Sequence, residues 1–131
     1  MDKMRVIRNP KKVSAPVGGY SHGLEVRSGN RTLYISGQIP EKLNGEVPSD
    51  FESQCEVVWN NIREILNESG MSFENLVKVT TYLTNQNQAE SNSKIRRWFL
   101  GDVKPALTVV IAQTLETGWL LEIEAIAVAD D

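Results

Sequence analysis

Trp119-Leu120-Leu121-Glu122-Ile123-Glu124-Ala125-Ile126-Ala127-Val128 is the stretch whose alternation decides the fold. Successive strand residues point to opposite faces. Trp119, Leu121, Ile123, Ala125 and Ala127 therefore make one wholly apolar side. The other side carries Leu120, Ile126 and Val128 around Glu122 and Glu124. Such a segment predicts a strand with one face in a core and a second face that also seeks cover. Ala106–Ala112 reads the same way, apolar on both sides and rich in β-branched residues.

Working back along the chain, Asp50–Ser69 predicts the main helix. Phe51, Cys55, Val58, Trp59, Ile62, Ile65 and Leu66 fall on one stripe at helical spacing. Ser49 with Glu52 has capping-box spacing, and Gly70 is a natural stop. A weaker helix spans about Gln88–Leu100, with a stripe through Ile95, Trp98 and Phe99. Leu76–Thr84 predicts a strand with Val77, Val79, Thr81 and Leu83 on one face. Arg5–Ile7 predicts a short strand, and Lys11–Gly19 a loop. Tyr20–Arg27 alternates, and Ser28-Gly29-Asn30 reads as a turn returning into Thr32–Ser36, which predicts a hairpin. Gly37–Pro48 reads as irregular. The pattern implies an α+β fold in which two helices cover one face of a mixed sheet. Two helices cannot cover both faces, so the remaining apolar surface predicts self-association.

At 131 residues, with no repeat, linker or low-complexity segment, the chain reads as a single domain over residues 1–131. Its 40% hydrophobic and 24% charged residues mark a globular protein. No run approaches the roughly 20 apolar residues of a membrane span, and Met1–Arg5 has no apolar segment behind it to act as a secretory signal. A cytoplasmic location, with no membrane partner, is expected. A formal charge of −3 disfavours nucleic acid as a partner. One cysteine and one histidine argue against a disulfide, a zinc site of several cysteines, or a histidine-rich metal site.

Few residues stand out as chemistry. Glu122 and Glu124 sit in an apolar segment; desolvation there would make a proton-exchanging carboxylate, and an open sheet face would leave them solvated or ion-paired. Asn92 lies on the apolar stripe of the second helix, three residues before Ile95, where a buried amide must bind a ligand or bridge helix to sheet. His22 reads as a partly buried, satisfied histidine. Cys55 reads as inert packing, Trp119 as core or interface, and Lys94, Arg96 and Arg97 as a solvated helix face. No glycine-rich phosphate loop is present.

Gly19-Tyr20-Ser21, Ile35-Ser36-Gly37-Gln38-Ile39-Pro40, Val77-Lys78-Val79-Thr80-Thr81-Tyr82, Asn92 and Glu122-Ile123-Glu124-Ala125-Ile126-Ala127, in this order and spacing, resemble the RidA family, also called YjgF or L-PSP. The resemblance runs from about Ala15 onward. It implies a chorismate-mutase-like fold and a homotrimer with a central barrel and a small-molecule cleft at each subunit interface. It also implies hydrolysis of reactive enamines and imines to keto acids and ammonia, with no cofactor and no metal. The positions carried over are Tyr20, Ser36, Gly37, Asn92 and Glu122, the last positioning water.

The resemblance breaks at one place. Family deaminases carry an arginine in a proline-alanine-arginine-serine string, where it pairs with the substrate carboxylate. Here the string is Pro105-Ala106-Leu107-Thr108, and Leu107 cannot hold an anion. Activity on amino-acid-derived imines should be lost unless another cation, with Arg96, Arg97 and Lys104 nearest in sequence, replaces the arginine. The Ala15–Tyr20 loop is also shorter than the family's and lacks its proline before the tyrosine. Three functions follow: a divergent imine or enamine hydrolase using Glu122; a non-catalytic trimeric small-molecule-binding or interaction protein; and an endoribonuclease, which the acidic balance disfavours.

Overall fold

The computed structural model describes residues 5–131, so most of the Met1–Arg5 segment lies outside the described residues. Six strands and two helices follow in the order β1 (Arg5–Arg8), β2 (Gly23–Val26), β3 (Arg31–Gln38), α1 (Phe51–Glu68), β4 (Leu76–Leu83), α2 (Ala89–Leu100), β5 (Ala106–Ile111) and β6 (Leu121–Ala129). Four strands form one mixed sheet in the order β3-β6-β4-β5. β6 runs antiparallel to both β3 and β4, and β4 runs parallel to β5. Parallel neighbours need crossovers; α1 carries the chain from β3 to β4 and α2 from β4 to β5, and both pack on one face.

The core lies between that face and the helices. Ile35, Val79, Leu83, Leu121, Ile123, Ala125 and Ala127 meet Val58, Trp59, Ile62 and Leu66 of α1. Trp59 stacks on Phe99 at 6.2 Å and meets Phe73 edge-on at 5.9 Å. The alternation in β6 is as expected: its odd-numbered residues are buried, while Glu122 is half-buried and Glu124 exposed. One buried polar side chain of α1 ties the layers. Gln54, 1% exposed, donates to the carbonyls of Pro48 and Gly118 at 2.7 and 2.9 Å and accepts from the Leu120 amide at 2.8 Å. It fixes the entry to β6 against α1.

Several expectations are corrected. β2 does not turn back into β3; it pairs antiparallel with β1, Arg5 opposite Val26 and Arg8 opposite Gly23. β3 pairs with β6, because only there do Leu33 and Ile35 reach the core. The small ribbon is held by Glu25 between Arg8 and Arg27 at 2.9 and 3.0 Å. The N-cap of α1 is Asp50, whose carboxylate accepts from the Ser53 amide at 2.9 Å, and not Ser49. That hydrogen bond, with the Ser53 hydroxyl, holds the Asp50 carboxyl below its ordinary range. Gly70, at φ 68°, ends the helix as expected. β6 begins at Leu121, leaving Trp119 half-buried before it. In α2, Trp98 is 76% exposed, and Asn92 and Arg96 take the inward positions at 2% and 4%. Arg96 therefore does not belong to a solvated face. β5 is an edge strand with Val109, Val110 and Ile111 exposed.

Cys55 is fully buried, and burial pushes its thiol up to about 12. Two outcomes follow. A bulky thiol reagent at pH 8 should label the native protein far more slowly than the unfolded chain. Between the ordinary thiol value of 9.0 and about 12, the unfolded thiol ionises while the folded one stays protonated. Stability should therefore fall as pH rises through that window, and denaturation of Cys55→Ala alongside the native protein should show a shallower fall.

Candidate functional site

The residues singled out from sequence divide between the two faces of the sheet. On the face away from the helices, β3 carries a bulge: Ile35 pairs with Ala125 and Gln38 with Ile123, so Ser36 and Gly37 together face the single residue Glu124. The extra residue brings Gly37 against Glu122. A Cβ at position 37 would lie 1.9 Å from Glu122 Oε2 and 2.8 Å from its Cδ. A side chain at position 37 would push the Glu122 carboxylate out of this seat. Ser36 beside it is exposed.

The same open face holds Tyr82, opposite Glu122 in register. Tyr82 donates its hydroxyl to Glu124 Oε1 at 2.5 Å, and the interaction raises the phenol above its ordinary value. Lys78 Nζ donates to Thr108 Oγ1 at 2.8 Å. Tyr34 projects from β3, 75% exposed. Glu124 is thus engaged by a phenol, while Glu122 sits in the Gly37 notch.

Tyr20, Asn92 and Leu107 lie elsewhere. Leu107 pairs with Val79, itself paired with Ala125, so it faces the helices and packs on the core. The segment ahead of β2 is docked along the start of β5: Ser21 donates its hydroxyl to Lys104 O at 2.7 Å and its amide to Pro105 O at 3.1 Å, and bridges to Ala106. Tyr20, half-buried, rests edge-on to His22 at 5.8 Å. His22 is exposed, not partly buried; its amide takes Asn9 Oδ1 and its Nε2 meets Ser14 O. Asn92 is buried, and its Oδ1 has no partner among the described residues. It does not bridge α2 to the sheet through that oxygen.

Within one chain, then, Ser36, Gly37 and Glu122 form one group, Asn92 and Leu107 lie on the helix side of the sheet, and Tyr20 precedes the segment docked at the start of β5. Two features escaped the sequence reading. The buried Arg96 looked like its solvated neighbours, and the Gly37–Glu122 approach joins residues far apart in the chain. A groove of about 900 Å³ between the outer faces of α1 and α2, bounded by Glu52, Arg63, Lys94 and Trp98, lies across the sheet from Glu122. No group of three or more histidine, cysteine or carboxylate side chains is placed to hold a metal among the described residues. No described helix is long and apolar enough to cross a membrane.

Comparison with known proteins places the chain in a family. The family model for Endoribonuclease L-PSP matches residues 11–129. A RutC family protein of Aquifex aeolicus is 38% identical over 130 residues, 95% of this chain and 99% of that protein. The mouse 2-iminobutanoate/2-iminopropanoate deaminase is 32% identical over 127 residues, 95% and 92% of the two chains. The crystal structure of YyfB, a Rid-family protein of unknown function from Yersinia pestis, superposes with a TM-score of 0.85 at 31% identity, covering 95% of this chain and 98% of that one. The chain belongs to the RidA/YjgF family, the family of the Endoribonuclease L-PSP model.

Proposed function

We propose that the protein is a hydrolase of small imines or enamines, working at a cleft between subunits of a homotrimer. The observation that carries this reading is the seat of Glu122, a half-buried carboxylate on a strand face that the chain's own helices leave uncovered, in the space that a side chain at position 37 would fill. Similarity to mammalian imine deaminases supports the reaction class. Asn92 and Leu107 lie on the helix side of the sheet, so a cleft holding them together with Glu122 needs two copies.

In such a cleft Glu122 accepts a hydrogen bond from water and directs its oxygen at the electrophilic carbon of the C=N bond. The C–O bond forms as the π pair moves to nitrogen. Glu122 takes the water proton and returns it to nitrogen, giving the carbinolamine; it then takes the hydroxyl proton and passes it to the amine nitrogen, and the C–N bond breaks as the C=O bond forms, giving ketone and ammonia. An enamine enters after protonation at carbon. Water attacks an already reactive carbon, so positioning and one proton shuttle suffice. Leu107 favours a second reading, a binder without turnover, because it supplies no cation to an anionic substrate.

Static light scattering at micromolar concentration should give three times the monomer mass; a monodisperse monomer would refute the shared cleft. Ammonia release from freshly generated 2-iminobutanoate, measured above the buffer rate, tests the chemistry. Glu122→Gln should lower it by about a hundredfold or more. Gly37→Ala, whose methyl displaces the carboxylate, should cost roughly a hundredfold in kcat with little change in thermal midpoint. Wild-type rates equal to buffer would favour the binder.

A further inference from the structure

Arg96 is 4% exposed and keeps its charge at any ordinary pH. No carboxylate pairs with it among the described residues. Its Nη2 donates to the carbonyl of Gly18 at 2.5 Å, and its Nε is buried without a partner among the described residues. One turn earlier on the same helix face, Asn92 leaves Oδ1 buried and unpartnered. A buried donor on a cation and a buried acceptor, one turn apart, are each costly when unsatisfied. Burial pulls the guanidinium below its ordinary value, and Arg97 adds repulsion.

The cover over this pair is slight. Gly18 and Gly19 stand at φ 108° and 79°, conformations that glycine adopts freely. From Ala15 to Tyr20, the hydrogen bond from Arg96 to Gly18 is the one polar tie among the described residues. Firm anchors come on either side, at Ser14 through His22 and at Ser21 through Lys104 and Pro105. From Gly18 to Ser21 the chain spans at most about 10 Å, so Arg96 and the start of β5, with Leu107, border the same short segment. The Gly18 carbonyl gives the guanidinium a neutral acceptor where a carboxylate would give a stronger one.

We propose that Arg96, with Asn92 beside it, is a carboxylate-binding site, uncovered when the Gly18–Gly19 turn lifts and the ligand's anionic oxygens replace the Gly18 carbonyl. The ligand class is a small 2-oxo or 2-imino monocarboxylate: the carboxylate meets Arg96 Nε and Nη2, and an imine N–H donates to Asn92 Oδ1, a hydrogen bond that a 2-oxo acid, held by its carboxylate alone, does not make. The location beside the cleft rests on the hydrolase reading; binding of the carboxylate does not require turnover.

The test titrates the full-length protein with 2-oxobutanoate, and with neutral 2-butanone as control. Calorimetry gives the affinity. The arginine Nε–H resonances of isotope-labelled protein report the contact, with Arg96→Lys assigning the signal. The keto acid should bind and move the Arg96 resonance, and 2-butanone should do neither. Arg96→Met should weaken keto-acid binding by about tenfold or more, and Arg96→Lys, which loses the fork, by several-fold. An unmoved Arg96 resonance on wild-type protein overturns the proposal even if Arg96→Met fails to fold. Unchanged affinity in a folded Arg96→Met overturns it too, and dissociation of that variant into monomers with the affinity unchanged would assign Arg96 to the subunit contact instead. Binding through Arg96 without ammonia release would sink the hydrolase reading and leave this site standing. Ammonia release with KM unchanged in Arg96→Met would do the reverse.

Discussion

The alternation of β6 is the constraint on which the rest depends. It is hydrogen-bonded on both sides, to β3 and β4, so its side chains cannot be reassigned between faces without breaking two ladders at once. Leu121, Ile123, Ala125 and Ala127 on one face bind the sheet to α1. Full burial of a large apolar side chain contributes roughly 1.5–3 kcal/mol, so a one-residue slip would forfeit the core. The same register holds Glu122 and Glu124 on the opposite face. The core, in effect, aims the carboxylates.

That coupling explains why the candidate site is divided. Helices fill one side of the sheet and glutamates occupy the other, so neither α1 nor α2 folds over Glu122. Tyr20 and Leu107 belong to the β5 edge, where exposed Val109, Val110 and Ile111 continue the apolar surface. An edge strand with such residues is a liability in isolation. In an assembly it is a natural place for a second copy to bind.

Much of the fold was legible. The α1 stripe and the period of β6 each follow from one local rule, and the strings around Ser36-Gly37 and Glu122 marked the family. Pairing partners were less so. The Ser28-Gly29-Asn30 turn suggested that β2 and β3 were neighbours, but a turn signal says where a chain bends, not which strand it meets. The choice fell to long-range burial of Leu33 and Ile35. Arg96 and Gln54 were hidden for a related reason. Periodicity arguments count apolar residues, and these two polar ones occupy inward positions because carbonyls outside their own helices, those of Gly18 and Gly118 far away in sequence and that of Pro48 nearby, come to meet them. The spatial division of the site was invisible too, since it depends on which face of a strand each residue takes.

The strand order carries a consequence for synthesis. Arg31 pairs with Ala129, and every neighbour of β6 in the sheet precedes it by tens of residues. While a ribosome is still extending the chain, β3 and β4 have no strand between them, and the apolar stripe of α1 has no completed surface to rest on. The sheet can close only after residues 121–129 have emerged. Contacts of such wide sequence separation slow folding, so the nascent chain passes through a period with the apolar residues of both helical segments wet, the interval in which chaperone capture or aggregation competes with closure.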